Sequence, residues 1–238
     1  MPSAAALVVP ALKRHTATVI VAHGLGDSGA GWLFLAENWR RRNKFEEVKF
    51  VFPNAPNIPI TLNGGMRMPG WYDLVSYPAP NQPEDETGII RSRDFFQSLI
   101  DDEVTAGIPA SRIIIGGFSQ GGAIALLSGL SYPERLGGIF ALSCYVLMPG
   151  KFKSLVDAKG DANKETQVFM AHGDQDQVVK YEWGTTSSKL LKDWGYKVDF
   201  RTYPNLAHSA DMDEIDHLEG FLNTALPKLG DGKEDNNL

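Results

Sequence analysis

Apolar positions along this chain follow two periods that alternate through most of its length. Strands are predicted by runs of β-branched and aliphatic residues at 18–22, 48–52, 113–115, 136–142, 168–171 and 198–203. Helices are predicted by apolar residues at helical spacing in 32–39, 88–106, 123–130, 181–194 and 212–222. This alternation favours an α/β fold: a mostly parallel sheet with helices on both faces.

One long stretch, from Pro53 to Pro83, fits neither period. It is rich in proline and contains Asn63–Gly64–Gly65 and Trp71–Tyr72. Loops of this length inside a compact domain are usually functional or disordered, and the aromatic residues argue against disorder. We therefore expect a functional loop here.

No repeat and no clear linker interrupts the pattern, so the 238 residues are expected to form one domain. We assign residues 1–17 to an N-terminal segment, 18–227 to the α/β domain and 228–238 to a polar C-terminal tail. The apolar stretch Met1–Pro10 lacks the basic start of a signal peptide and is too short to span a bilayer. A soluble protein of the cytoplasm is expected.

Composition removes several classes of partner and cofactor. The net charge is −6 and no basic run exceeds Arg40–Arg42, which argues against a nucleic-acid partner. Cys144 is the only cysteine, so the chain has no intrachain disulfide and is compatible with a reducing compartment. No Cys/His cluster has metal-ligand spacing and no P-loop glycine pattern opens a helix, so neither a metal nor a cofactor is expected.

The strongest chemical signal follows the run Ile113–Ile115, where Gly117–Phe118–Ser119–Gln120–Gly121 fits G-x-S-x-G. This is the pattern of a nucleophile elbow, a tight strand-to-helix turn that presents a serine hydroxyl above a sheet. Glycines two residues either side have no Cβ to clash in such a turn. A glycine-rich turn with an incidental serine is the alternative, and the aliphatic strand before it and the apolar helix after it favour the elbow.

A serine nucleophile needs a histidine base, which in α/β-hydrolases follows the serine in the chain. Three histidines follow Ser119. His217 falls within a predicted helix on a polar face, which is typical of a surface residue. His172 ends a strand and is expected to pack in the turn or hydrogen-bond its loop. His208 lies in a short loop between a strand and a helix, which makes it the candidate base.

The base needs a carboxylate located between Ser119 and His208. Asp174 and Asp176 both follow the strand at 168–171, and composition does not choose between them. Asp157 and Asp161 fall in a lysine-rich stretch that is expected to be a solvated loop.

An oxyanion hole completes this chemistry. One donor is expected to be the backbone N–H of Gln120, which follows the candidate nucleophile. The second is expected from the early turn His23–Gly24–Leu25–Gly26–Asp27, whose glycines allow close backbone approach.

Together these segments resemble the acyl-protein thioesterases, the lysophospholipase/carboxylesterase family of small α/β-hydrolases. The resemblance runs from about Thr18 to Pro227. It rests on motifs in family order: His23–Asp27, Pro53–Pro56, Met68–Asp73, Gly116–Gly122 and His172–Asp176. It implies a serine hydrolase without a cofactor that cleaves fatty-acyl thioesters from protein cysteines through an acyl-enzyme intermediate.

The resemblance also implies roles for individual residues. It assigns Ser119 as nucleophile, His208 as base and Asp176 as acid, with oxyanion donors from Leu25 and Gln120. Asp174 would then accept backbone N–H bonds within its own turn.

The chain departs from the family pattern at several positions. Tyr145 stands where a tryptophan is expected, Gln177 where a proline is expected, the segment Pro149–Thr166 looks longer, and an N-terminal lipid-anchoring cysteine is missing. These departures bear on acyl-chain preference and membrane recruitment rather than on the reaction.

An acyl-binding channel is expected to be lined by four apolar residues of the long loop and by a valine that follows the candidate acid: Trp71, Tyr72, Leu74, Val75 and Val178. The alternative is that they pack as core beneath the loop.

Expected partners are S-acylated proteins or acyl-ester lipids as substrates, and the pattern is compatible with transient contact with a membrane surface and a weak homodimer. A carboxylesterase or lysophospholipase uses the same mechanism and is the first alternative function, and a catalytically silent binding protein is the second.

Overall fold

The computed structural model describes residues 5–76 and 83–230. Its sheet strands are β1 (Leu7–Val9), β2 (Ala17–Ala22), β3 (Val48–Phe52), β6 (Ile113–Phe118), β7 (Gly138–Leu142), β8 (Gln167–Gly173) and β9 (Lys197–Tyr203), and a separate pair is β4 (Asn57–Ile60) and β5 (Met66–Pro69). The helices are α1 (Leu33–Arg41), α2 (Glu86–Thr105), α3 (Gln120–Leu130), α4 (Pro149–Asp157), α5 (Tyr181–Asp193) and α6 (Met212–Ala225).

The main sheet has the order β1-β3-β2-β6-β7-β8-β9, and each neighbouring pair is parallel except β1 with β3. Its central strands read as continuous apolar runs because they are covered on both sides: every residue of β2 and β7 is buried. The predicted mostly parallel sheet is confirmed.

Helices pack on both faces of this sheet, as predicted. One core cluster joins α2, α3, α4 and α5 to the sheet through residues such as Phe96, Leu127 and Leu191. The other contains Trp39 of α1 and Leu218 of α6. The prediction of helices on both faces is therefore also confirmed.

All three strands that lead into the candidate site, β6, β8 and β9, end at the same edge of the sheet, where α/β proteins place their sites.

Three elements were not predicted from the sequence. β1 lies within the N-terminal segment and pairs with β3 at the edge of the sheet, Leu7 opposite Phe52. The stretch 53–83 is not one loop, because β4 and β5 form an antiparallel hairpin within it. A two-stranded ribbon tolerates Pro59 because it has free edges, and Gly64 and Gly65 supply the positive φ angles of its turn.

The third unpredicted element is α4, which replaces most of the expected lysine-rich loop. Pro149 suits the first turn of a helix, and Phe152 and Val156, one turn apart, are fully buried. Asp157 is the last residue of this helix, and Asp161 accepts a hydrogen bond from the Tyr196 hydroxyl at 3.0 Å.

Residues 1–4, 77–82 and 231–238 lie outside the described residues, and with them parts of the predicted N-terminal segment, loop and tail. Within residues 5–76 and 83–230, no helix combines the length and apolarity needed to cross a bilayer.

Candidate active site

Ser119 occupies the turn between β6 and α3, in a backbone conformation with φ 55° and ψ −123°. Such a conformation costs a non-glycine residue about 1–3 kcal/mol and persists only where the surroundings enforce it. The Ser119 N–H donates to Leu142 O at 2.8 Å, which ties the turn to β7. A Cβ on Gly117 or Gly121 would lie 2.4 or 2.3 Å from the carbonyl oxygen of Ala22. The two glycines of the motif are therefore required by the neighbouring strand.

A continuous hydrogen-bonded relay runs from this serine to a carboxylate. Ser119 Oγ lies 3.0 Å from His208 Nε2, and His208 Nδ1 lies 2.7 Å from Asp176 Oδ2. Because Asp176 only accepts in its ionised form, Nδ1 carries the proton and Nε2 is free to accept from the serine hydroxyl. The structure thus brings together the serine, the histidine and one of the two aspartates that sequence analysis selected.

The Asp176 carboxylate is buried and held by several donors. Its Oδ1 accepts from the N–H groups of Val178 and Val179, each at 2.9 Å, and its Oδ2 also lies 3.3 Å from His172 Nε2. Burial by itself would raise the pKa of Asp176, but the hydrogen bonds from His172, His208 and Val178 reverse this and hold that pKa well below its ordinary range. Asp176 is therefore a stable anion beside the imidazole of His208.

Asp174 has a different partner from the one predicted. Its Oδ1 accepts the backbone N–H of Asn205 at 2.7 Å, in the loop after β9, and not an N–H of its own turn. The two loops are in direct contact, since a Cβ on Gly173 would lie 2.1 Å from Leu206 O. Asp174 thus fastens the loop that carries His208 to the loop that carries Asp176.

The other two histidines lie where sequence analysis expected. His172 is 1% exposed, and its Nε2 donates to Val179 O at 2.7 Å across the turn. His217 is exposed on α6, with its Nδ1 2.9 Å from the hydroxyl of Tyr203.

The turn His23–Asp27 lies beside Ser119, where a second oxyanion donor is needed. A Cβ on Gly24 would be 3.4 Å from Ser119 Cβ, and Gly26 has a φ of +79°. The buried imidazole of His23 braces the turn: its Nδ1 donates to Gly24 O at 2.6 Å while its Nε2 accepts from Ala55 N at 3.1 Å. Burial lowers the pKa of His23, which keeps Nε2 unprotonated as that acceptor.

The residues predicted to line an acyl channel fall into two groups. Trp71 and Tyr72 are 1% and 2% exposed and belong to the core cluster, whereas Leu74 and Val75 are half-buried and Val178 is 58% exposed. A lining role for these residues remains a prediction.

Sequence analysis missed two contributions to the site. The Phe118 ring packs 4.7 Å from the His208 ring, centroid to centroid. The side chain of Gln120, considered only for its backbone, holds the segment at Trp71. Neither contact leaves a signal in spacing or composition. Among the described residues, no group of three His, Cys, Asp or Glu side chains could hold a metal ion.

A serine, an imidazole and a carboxylate joined by hydrogen bonds at the ends of three parallel strands define an α/β-hydrolase. Comparison with known proteins agrees. The family model described as Phospholipase/Carboxylesterase matches residues 3–226. Acyl-protein thioesterase 1 of Neurospora crassa is 55% identical over 232 residues, covering 96% of this chain and 94% of that protein. Acyl-protein thioesterase 1 of Emericella nidulans is 52% identical, covering 97% and 99%.

Solved structures give the same result. The crystal structure of Zea mays acyl-protein thioesterase 2 is similar with a TM-score of 0.81 at 29% identity, covering 93% of this chain and 98% of that one. Arabidopsis thaliana SOBER1 is similar with a TM-score of 0.81 at 30% identity, covering 88% and 99%. The chain belongs to the phospholipase/carboxylesterase family of α/β-hydrolases, and it is a serine hydrolase.

Proposed function

We propose that this enzyme removes fatty-acyl groups from S-acylated protein cysteines by hydrolysing the thioester bond. The observation that carries the proposal is the relay from Ser119 Oγ through His208 to Asp176, which lies beside the turn at Leu25. The substrate class is supported by the names of the relatives, which are acyl-protein thioesterases at 52–55% identity.

In the proposed reaction, Ser119 Oγ attacks the thioester carbonyl carbon while His208 Nε2 takes its proton. The negative carbonyl oxygen is stabilised by the backbone N–H groups of Leu25 and Gln120. The carbon–sulfur bond breaks, His208 returns the proton to the departing cysteine sulfur, and an acyl-serine remains. Water, activated by His208, then hydrolyses this ester and releases the fatty acid. Asp176 keeps its charge throughout and stabilises the imidazolium.

Ester substrates give the second candidate function. Lysophospholipids and simple carboxylic esters pass through the same acyl-serine, and the description of the matching family favours them. A thiol is a better leaving group than an alcohol because its pKa is lower, about 8.5. Expulsion of the leaving group therefore needs less proton donation from His208 with a thioester than with an ester.

The test is turnover measured side by side on an S-palmitoylated peptide, a lysophospholipid and short esters, with wild-type protein and Ser119→Ala. We expect the highest kcat/KM on the thioester, and a loss of about 10⁶ in kcat for Ser119→Ala. Ser143 provides a matched control, because it also follows a strand with positive φ and its Oγ has no hydrogen-bond partner among the described residues.

A fluorophosphonate probe should label the wild type and Ser143→Ala but not Ser119→Ala. Folded wild-type protein that takes no label and turns over none of the substrates would favour a catalytically silent binding protein instead. Higher kcat/KM on the lysophospholipid than on the thioester would replace the first function by the second.

The proposal includes a cytoplasmic location and transient contact with membrane surfaces that carry the substrates. The location is supported by the free, buried Cys144, which is compatible with a reducing compartment.

A further inference from the structure

Two hydrogen bonds bracket the backbone of Leu25, one of the two proposed oxyanion donors. On one side, the indole Nε1 of Trp71 donates to His23 O at 2.8 Å. On the other, the N–H of Gly26 donates to Pro69 O at 2.8 Å. Both partners belong to the segment 69–71, so this segment holds the turn on either side of the donor.

The same segment is fastened to the other proposed donor, Gln120. The side-chain Oε1 of Gln120 accepts the Trp71 N–H, and its Nε2 donates to Tyr72 O, both at 2.7 Å. Ser92 Oγ donates to Trp71 O from α2. The backbone around Trp71 is thus clamped to the start of α3, where the Gln120 N–H is located.

Trp71 therefore connects the two oxyanion donors, and its ring is fixed in place. It is 1% exposed, with ring centroids 4.9 Å from His23 and 4.7 Å from Phe96. Gly70, the residue before it, is closely packed, since a Cβ there would lie 3.0 Å from Leu25 Cδ1. A rigid indole with its single N–H engaged is suited to set a distance between two backbone segments.

We propose that Trp71 is a positioning residue of the oxyanion hole, setting the separation of the Leu25 and Gln120 N–H groups through its indole N–H and its backbone. This inference rests on the proposed function, because the two N–H groups matter only if they receive the charge of a tetrahedral intermediate. It gives Trp71 a role in positioning the two oxyanion donors and not in forming an acyl-binding wall.

The two roles predict different kinetics. Oxyanion hydrogen bonds strengthen in the transition state, so misplacing a donor lowers kcat and leaves KM nearly unchanged. Loss of an acyl-binding wall would raise KM, and the loss would grow with the length of the acyl chain.

Trp71→Phe removes the indole N–H and keeps an aromatic ring, and Trp39→Phe is its matched control. Trp39 is also 1% exposed and packs against Phe45 and Phe50, but its Nε1 has no hydrogen-bond partner among the described residues. Both changes shrink a buried indole to a phenyl ring, and only one removes a hydrogen bond.

We expect Trp71→Phe to lower kcat about 10- to 100-fold, with KM within about twofold of wild type and the same loss for acetyl, butanoyl and octanoyl esters. Trp39→Phe should retain the wild-type kcat at temperatures where it is folded. Equal kcat in both variants, or a loss that grows with chain length through KM, would overturn the proposal.

Gln120→Met provides a second test if Trp71→Phe fails to fold, because it deletes both side-chain bonds to the segment and keeps the backbone N–H. It should show the same fall in kcat at unchanged KM, and a wild-type kcat would count against the proposal. Failure of the proposed function itself would appear separately, as wild-type protein without turnover or probe labelling.

Discussion

His172 shares one carboxylate oxygen with His208: Asp176 Oδ2 lies 3.3 Å from His172 Nε2 and 2.7 Å from His208 Nδ1. The two imidazoles approach the anion from different elements, one from the end of β8 and the other from the loop after β9. Only His208 reaches Ser119. A histidine that takes no part in the proposed proton transfer therefore helps to hold the candidate acid, together with the backbone N–H groups of Val178 and Val179.

Helix α5 reaches this arrangement through Gly184. A Cβ at this position would lie 2.2 Å from His172 Nδ1. Glycine to alanine in an open helix position usually stabilises by about 0.5–1 kcal/mol. Gly184→Ala should instead destabilise the protein by about 1–3 kcal/mol and lower kcat, because the displaced His172 disturbs Asp176.

The control for this change is Gly220→Ala in α6, where an added Cβ would meet nothing within 4 Å beyond its chain neighbours and the backbone of its own helix. It should raise the melting temperature and leave kcat unchanged. Melting temperature and kcat measured for both variants decide the matter: if Gly184→Ala behaves like Gly220→Ala, α5 does not constrain the relay.

The two aspartates after β8 should separate in function. Asp176→Asn leaves His208 without an anion and favours the wrong tautomer, so kcat should fall about 10⁴-fold in a folded protein. Asp174→Asn weakens the bond to the Asn205 N–H and should cost about 1 kcal/mol of stability with a far smaller loss of kcat. Measured kcat and melting temperatures test both, and a catalytically dead Asp174→Asn would reverse the assignment.

Acyl-chain preference follows from the predicted channel. If Leu74, Val75 and Val178 contact the chain, each methylene buried contributes about 0.8 kcal/mol, so kcat/KM should rise from acetyl to octanoyl esters. Val178 is exposed and two residues beyond Asp176, so Val178→Ser should reduce this rise without unfolding the protein. A flat profile for the wild type would remove the channel, and an unchanged slope for the variant would remove Val178 from it.

Stability should depend on the protonation of Glu214, a residue of α6 with 0% exposure. Neither carboxyl oxygen has a hydrogen-bond partner among the described residues, and burial, together with the nearby Asp211 carboxylate, raises the pKa of Glu214 to about 8. The unfolded chain loses this proton near pH 4.5, well before the folded protein does. The free energy of unfolding should therefore fall as pH rises between these two values.

Glu214→Gln removes this dependence. The free energy of unfolding of Glu214→Gln minus that of the wild type should increase by about 3 kcal/mol from pH 5 to pH 8. Urea titrations of both proteins at the two pH values measure this increase. A gain of equal size at both pH values would mean that Glu214 is ionised in the folded protein even at pH 5.

Much of the fold could be predicted because its signals are local. The strand at Ile113 and the turn at Ser119 follow from β-branched residues and glycines that are adjacent in the chain. The hairpin β4–β5 could not be predicted in this way. Pro59 and the glycines of its turn are typical of a loop, and each of its strands pairs only with the other. Helix α4 was hidden for a similar reason: its signal is one buried pair among lysines.

The same distinction applies to the site. The roles expected of Ser119 and His208 could be inferred from order along the chain, whereas the choice of Asp176 over Asp174 came from the family resemblance. The partner of Asp174 and the hydrogen bond from the Trp71 indole could not, because each joins residues distant in sequence through the folded backbone. An aromatic residue in a loop looks the same whether it lines a channel or bonds a carbonyl oxygen.

The residues of the relay follow strands at different positions in the sheet, one internal and one at its end. Ser119 follows β6, which is paired on both sides, whereas His208 follows β9, which pairs only with β8 among the described strands. Margins of sheets open locally more often than their centres. A brief fraying of β9 would withdraw the base while the serine stayed in its strained turn, and would interrupt activity without global unfolding. Hydrogen exchange at the backbone amides of β9 would measure how often this strand opens.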